Sequence, residues 1–106
     1  MKWHQVCRSE ALWPERGSVA LVEGQVVALF RIHGGELFAV GNIDPFTGVS
    51  GMSRGIVGDR AGEPTVASPM HKQVFSLRTG KCFSGGEVLP TYPIRNRDGV
   101  VEVGLS

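Results

Sequence analysis

From residue 18 onward the chain is patterned with a period of two. Residues 18–22 run to Gly24, 25–32 follow, the His-Gly-Gly-Glu of 33–36 makes a turn, and 37–40 return as the next strand. Val, Leu, Ile and Phe fill these runs, residue types that suit a pleated, half-buried surface. The pattern predicts a three-stranded meander. Ahead of it, 9–12 predict a short helical turn that Ser9 can cap and that Pro14 and Gly17 stop. Behind it the pattern lapses. Residues 47–63 hold five glycines and one apolar pair, Ile56-Val57, and predict a long loop. A short strand at 64–67 leads to Ser68-Pro69-Met70-His71, then 73–77 alternate, 78–80 turn, and 81–83 pair back as a hairpin. Residues 91–97 and 100–103 flank Asp98-Gly99, the pair that a type I′ turn favours. The expected fold is all-β: a small antiparallel sandwich or barrel of short strands with one long Gly-rich loop.

Composition agrees and narrows the function. A length of 106 residues suits a single domain over 1–106, and 42% hydrophobic residues suit a globular one. Fifteen glycines and six prolines favour many short strands over a few helices. The net charge is +1, so the basic excess that phosphate neutralisation needs is missing, and nucleic acid is not expected as a partner. No stretch approaches the roughly 18 apolar residues of a spanning helix and the N-terminus has no apolar signal region, so the expectation is a cytoplasmic protein without a membrane partner. Cys7 and Cys82 are too few for a disulfide scaffold and are expected as buried thiols.

Self-sufficient chemistry is hard to find. His4-x-x-Cys7 has a ligand spacing, but a structural zinc site takes four donors and His33, His71 and Cys82 are scattered. There is no Gly-x-Ser-x-Gly elbow, and the glycines of 48–62 are not followed by Lys-Ser/Thr, so the loop is not a phosphate cradle. Asp44 and Asp59 read as loop caps.

One arrangement says more. Asp44-Pro45-Phe46 stands at a first tip and Ser68-Pro69-Met70-His71 at a second. Phe75-x-Leu77-x-Thr79-Gly80, Tyr92-Pro93-Ile94 and Asp98-Gly99-Val100-Val101 follow. The layout resembles the Rieske iron–sulfur domain. In that family Cys-x-His on one tip and Cys-x-x-His on the other hold a [2Fe–2S] cluster, two thiolates on one iron and two imidazoles on the other. The matching positions here are Asp44, Phe46, Ser68 and His71, which leave one donor of four.

With Trp3-x-x-Val6-Cys7, the run 42–46, Ser53-Arg54-Gly55 and Val66-Ala67-Ser68-Pro69, the chain resembles the small subunit of the bacterial NAD(P)H-dependent nitrite reductases over essentially all 106 residues. That resemblance implies a Rieske-like fold with no cofactor, metal or catalytic residue of its own. It implies a large-subunit partner carrying FAD, [4Fe–4S] and sirohaem, and a role in reducing nitrite to ammonium during nitrate assimilation. The tips, with Pro45, Phe46, Arg54, Pro69, Met70 and His71, become the candidate docking surface. Phe46 is expected to fill the volume a cluster would take, and Asp44 to make an Asx turn before Pro45. Arg54 either anchors a partner carboxylate or pairs with Asp44. A Rieske-type electron carrier of another system and a free-standing β-barrel binding module remain as alternatives.

Overall fold

The computed structural model describes residues 1–70 and 72–105. The expected meander is its middle layer: β2 (Gly17–Val22), β3 (Gln25–Arg31) and β4 (Leu37–Gly41) pair antiparallel, and β8 (Thr91–Tyr92) joins β4. One flanking sheet has the order β1 (Lys2–Arg8), β10 (Val100–Leu105), β9 (Ile94–Arg97). The other runs β5 (Ile56–Arg60), β6 (Glu63–Ala67), β7 (Val74–Ser76). Every ladder between these strands is antiparallel. The all-β expectation holds.

β3 explains the layering. Val27, Ala28, Leu29 and Phe30 are all buried. Ala28 and Phe30 pack with Val66, Phe75 and Leu77 on one side, while Val27 and Leu29 pack with Val101 and Val103 on the other. Side chains still alternate, but both faces are covered, so the strand reads as a continuous apolar run.

Three expectations need correction. The loop expected over 47–63 contains a 3-10 turn at Met52–Arg54 and the strand β5, paired along its length with β6. Met52 is fully buried and anchors the turn. Gly17 and Gly55 let the backbone close around it, because a Cβ at Gly17 would lie 2.0 Å from the Ser53 carbonyl oxygen and one at Gly55 2.5 Å from that of Ala67. The glycines therefore serve close packing rather than freedom. Second, β1 is a strand that alternation does not announce, broken by a bulge between Gln5 and Cys7 where it pairs with β10. Third, Ser9 caps nothing with its side chain. The residue preceding the 3-10 turn is Arg8, and the Ser9 backbone N–H donates instead to the Gly99 carbonyl at 2.9 Å.

Smaller features follow the sequence closely. Asp98 and Gly99 both take positive φ, 54° and 86°, as the type I′ turn requires. Residues 81–83 return beside β7 as expected, through a Phe75–Cys82 bridge flanked by two hydrogen bonds, from the Phe83 N–H to the Val74 carbonyl and from the Ser76 N–H to the Lys81 carbonyl. Cys82 is buried, whereas Cys7 is only half-buried, which corrects the expectation of two buried thiols.

A carboxylate–hydroxyl clasp between two tips

The first tip leaves β4 at Asn42, and Asn42 organises it. Its carbonyl accepts from the N–H groups of Gly51 and Met52, its Oδ1 accepts from the Ser53 N–H, and its Nδ2 donates to Ser50 Oγ. One buried side chain thus ties both ends of the tip together. Asn42 stood in the sequence only as part of a family motif. An Asn that ends a strand before Ile-Asp-Pro was the available signal for this role.

Asp44 is fully buried. Its Oδ1 accepts from the Phe46 N–H at 2.8 Å, the Asx turn expected ahead of Pro45. Its Oδ2 accepts from Ser68 Oγ at 2.5 Å, across 24 residues of sequence. Ser68 is equally buried and holds the second tip: its Oγ accepts from the Met70 N–H and its carbonyl from the Lys72 N–H. A buried carboxylate is tolerable only when its lone pairs are used, and these are. The two tips are clasped through side chains.

The remaining candidates sit around this clasp. Phe46 does not fill a buried void. It is 38% exposed, with one face tilted against Phe75 at 6.0 Å between centroids and its edge against Gly86. Pro45 and Met70 are half-buried and Pro69 is exposed. Arg54 is exposed and makes no ion pair with Asp44, whose oxygens are already taken; its guanidinium lies beside Met70 across Gly51. His71 lies outside the described residues. Ile43 and Val49 add exposed apolar surface to the first tip.

Elsewhere the candidates separate. Asp59 Oδ2 accepts from the Gly62 N–H, which is the cap expected of it. His4 faces Glu23 at 3.6 Å. Burial pushes the Cys7 thiol above its ordinary pKa, with Arg31 pulling it back. Among the described residues no group of three or more His, Cys, Asp or Glu side chains could hold a metal ion.

Comparison with known proteins completes the picture. Residues 2–104 match the family model of the Rieske-like [2Fe-2S] domain. The NADH nitrite reductase small subunit of Escherichia coli K12 is 39% identical, over 96% of each chain. A solved structure assigned as the NADH-dependent nitrite reductase small subunit of Mycobacterium tuberculosis is 45% identical. It superposes with a TM-score of 0.93, covering 96% of this chain and 93% of that one. The chain belongs to the nitrite reductase small-subunit family. That family is one component of an NAD(P)H-dependent oxidoreductase complex. A third match has a different form: the NAD(P)H nitrite reductase large subunit of Klebsiella oxytoca is 36% identical over 96% of this chain but only 11% of its own length.

Within this family the clasp bears on whether these positions fit a cluster. Two thiolates on one tetrahedral metal stand about 2.3 Å from it, hence roughly 3.7 Å apart. The oxygens of Asp44 and Ser68 are in direct contact at 2.5 Å, so no iron fits between them as they stand. The donors are wrong as well: a carboxylate and a neutral hydroxyl are hard, and Phe46 has no lone pair to offer. The described ligand positions do not fit a Rieske centre.

Proposed function

We propose that the chain works as the small subunit of a cytoplasmic NAD(P)H-dependent nitrite reductase, and that the complex reduces nitrite to ammonium for nitrate assimilation. Its two clasped tips dock on the large subunit, which is expected to carry FAD, [4Fe–4S] and sirohaem. The observation that carries the partner is the Klebsiella large subunit, where a segment like this chain is part of the same polypeptide. Covalent joining raises the effective concentration of two modules for one another, so a fused pair and a docked pair can share one interface. Electron and hydride transfer belong to cofactors, and the tips of this chain offer a surface in place of one. The isolated chain is accordingly expected to be colourless, iron-free and without NAD(P)H oxidation.

The test is co-expression with the large subunit, followed by size-exclusion chromatography and assay of nitrite-dependent NAD(P)H oxidation. Co-elution, with turnover confined to fractions that hold the large subunit, is the expected result. Failure to co-elute, turnover by the homogeneous small subunit, or stoichiometric iron and sulfide after anaerobic reconstitution would overturn the proposal.

A further inference from the structure

Beside the tips lies a groove that sequence patterning did not single out. It is formed on the β5–β7 sheet by Arg60, Lys72, Gln73, Val74, Phe83 and Ser84, with a volume of about 280 Å³. That is below the usual size of a small-molecule site, and it has room for one or two partner side chains. The Arg60 guanidinium stacks over the Phe83 ring at 4.6 Å from its centroid. Stacking uses the face of the guanidinium and leaves its edge N–H groups free to donate, so Arg60 is held in place while still able to receive a carboxylate. Lys72 closes the groove from the second tip, at a left-handed φ of 58° that the Ser68 hydrogen bond helps to hold.

The charges at this end are uncompensated. Arg54, Arg60, Lys72 and Lys81 are exposed and make no ion pair among the described residues, whereas Arg8, Arg78 and Arg95 are spent on Glu10, Glu36 and Glu102. Lys2, Arg16 and Arg97 are likewise exposed and make no ion pair among the described residues, but of all these Arg60 and Lys72 alone line the groove over Phe83. The acids that could neutralise them are engaged or turned away. Asp44 is closed in the clasp, and Glu63, opposite Arg60 in the ladder, is held by the Ser76 hydroxyl. Asp59 lines a different groove, with Glu15 and His33. Glu87 is the exposed acid left in the adjoining 82–88 loop.

We infer that this end is an apolar tip surface with a cationic flank, and that it fits an acidic strip on the large subunit, one carboxylate of which seats between Arg60 and Lys72 over Phe83. The inference rests on the docking reading above and names the chemistry of the partner surface. Charge arranged this way steers association and fixes orientation more than it adds affinity, so its signature is a salt-dependent association rate.

The experiment measures binding of the intact chain to the isolated large subunit at two salt concentrations. It compares Arg60→Glu and Lys72→Glu with Lys2→Glu and Arg97→Glu on the β1–β10–β9 sheet. The flank variants should each weaken binding about tenfold at low salt, and should flatten the salt dependence, while the other two stay within about twofold. Arg60→Gln and Lys72→Gln, with unchanged circular dichroism, guard against a folding defect and should show a smaller loss of the same kind. Equal losses from both pairs, or no loss from either while Phe46→Ala still weakens binding, would overturn the acidic strip and leave tip docking standing. Wild-type chain that does not bind the large subunit would overturn the docking reading itself, and the strip with it.

Discussion

Two tight connections in this molecule are built in opposite ways. The β9–β10 turn is local: Asp98 and Gly99 adopt positive φ, and the Asn96 side chain accepts from the Gly99 N–H three residues away. The second tip is not local. Met70 and Lys72 are held by Ser68, and Ser68 is held in turn by a carboxylate 24 residues earlier. A turn made by backbone preference survives on its own residues. One made by a buried polar pair depends on a distant part of the chain and fails if either partner goes. In the Rieske layout that this family resembles, the same two positions are cross-linked through an iron. Here a hydrogen bond between the two side chains at those positions does the joining.

Truncating the clasp should therefore produce the largest loss. Asp44→Ala strands the Ser68 hydroxyl and the Phe46 N–H in a buried site, and is expected to cost about 3 kcal/mol. Ser68→Ala should cost about 2 kcal/mol, since the carboxylate keeps one donor and loses the other. The double variant should cost clearly less than the sum, because both remove the same bond. Urea unfolding of the four proteins gives the coupling directly. Additive losses would mean that the two tips are stabilised separately and that the clasp is incidental.

The contrast also explains what could be read in advance. The meander and the Asp98-Gly99 hairpin were legible because their signals, period two and a φ-specific residue pair, lie within a few positions of the structure they specify. The Asx turn at Asp44 was legible for the same reason. Its second hydrogen bond was not, because nothing in the neighbourhood of Asp44 or Ser68 points to the other. β5 was missed because Gly58, Asp59 and Arg60 follow its apolar pair, and because its turn uses Ala61-Gly62 in place of Asn-Gly or Asp-Gly. β1 was missed because its partner is at the opposite end of the chain and its bulge breaks the alternation. Family resemblance located the tips themselves, and physical pattern alone did not.

The local turn should be the milder site to damage. Gly99→Ala places a Cβ at φ 86° with nothing within 4 Å to clash with it, so the cost is conformational only, about 1 kcal/mol. The same urea series measures it. A loss as large as that of Asp44→Ala would mean that the hairpin, rather than the tips, is where the fold is most easily undone.

Phe46 gives the finest discrimination, because its expected place and its observed place predict different numbers. A phenylalanine filling a buried cavity would cost about 3–5 kcal/mol on truncation to alanine. The ring observed here is 38% exposed, braced by Phe75 and Gly86 on one side and bare on the other. Half-burial scales the expected loss of stability to about 1 kcal/mol. An aromatic ring kept partly in water beside Ile43 and Val49, on a tip held rigid from beneath, gains little for the isolated fold. What it can gain is contact with another surface, since a preorganised aromatic loses little entropy on binding. Phe46→Ala should thus separate the two measurements, with a small shift in the urea midpoint and a loss of about tenfold or more in large-subunit binding. A shift of several kcal/mol with binding intact would return Phe46 to the core and remove it from the interface.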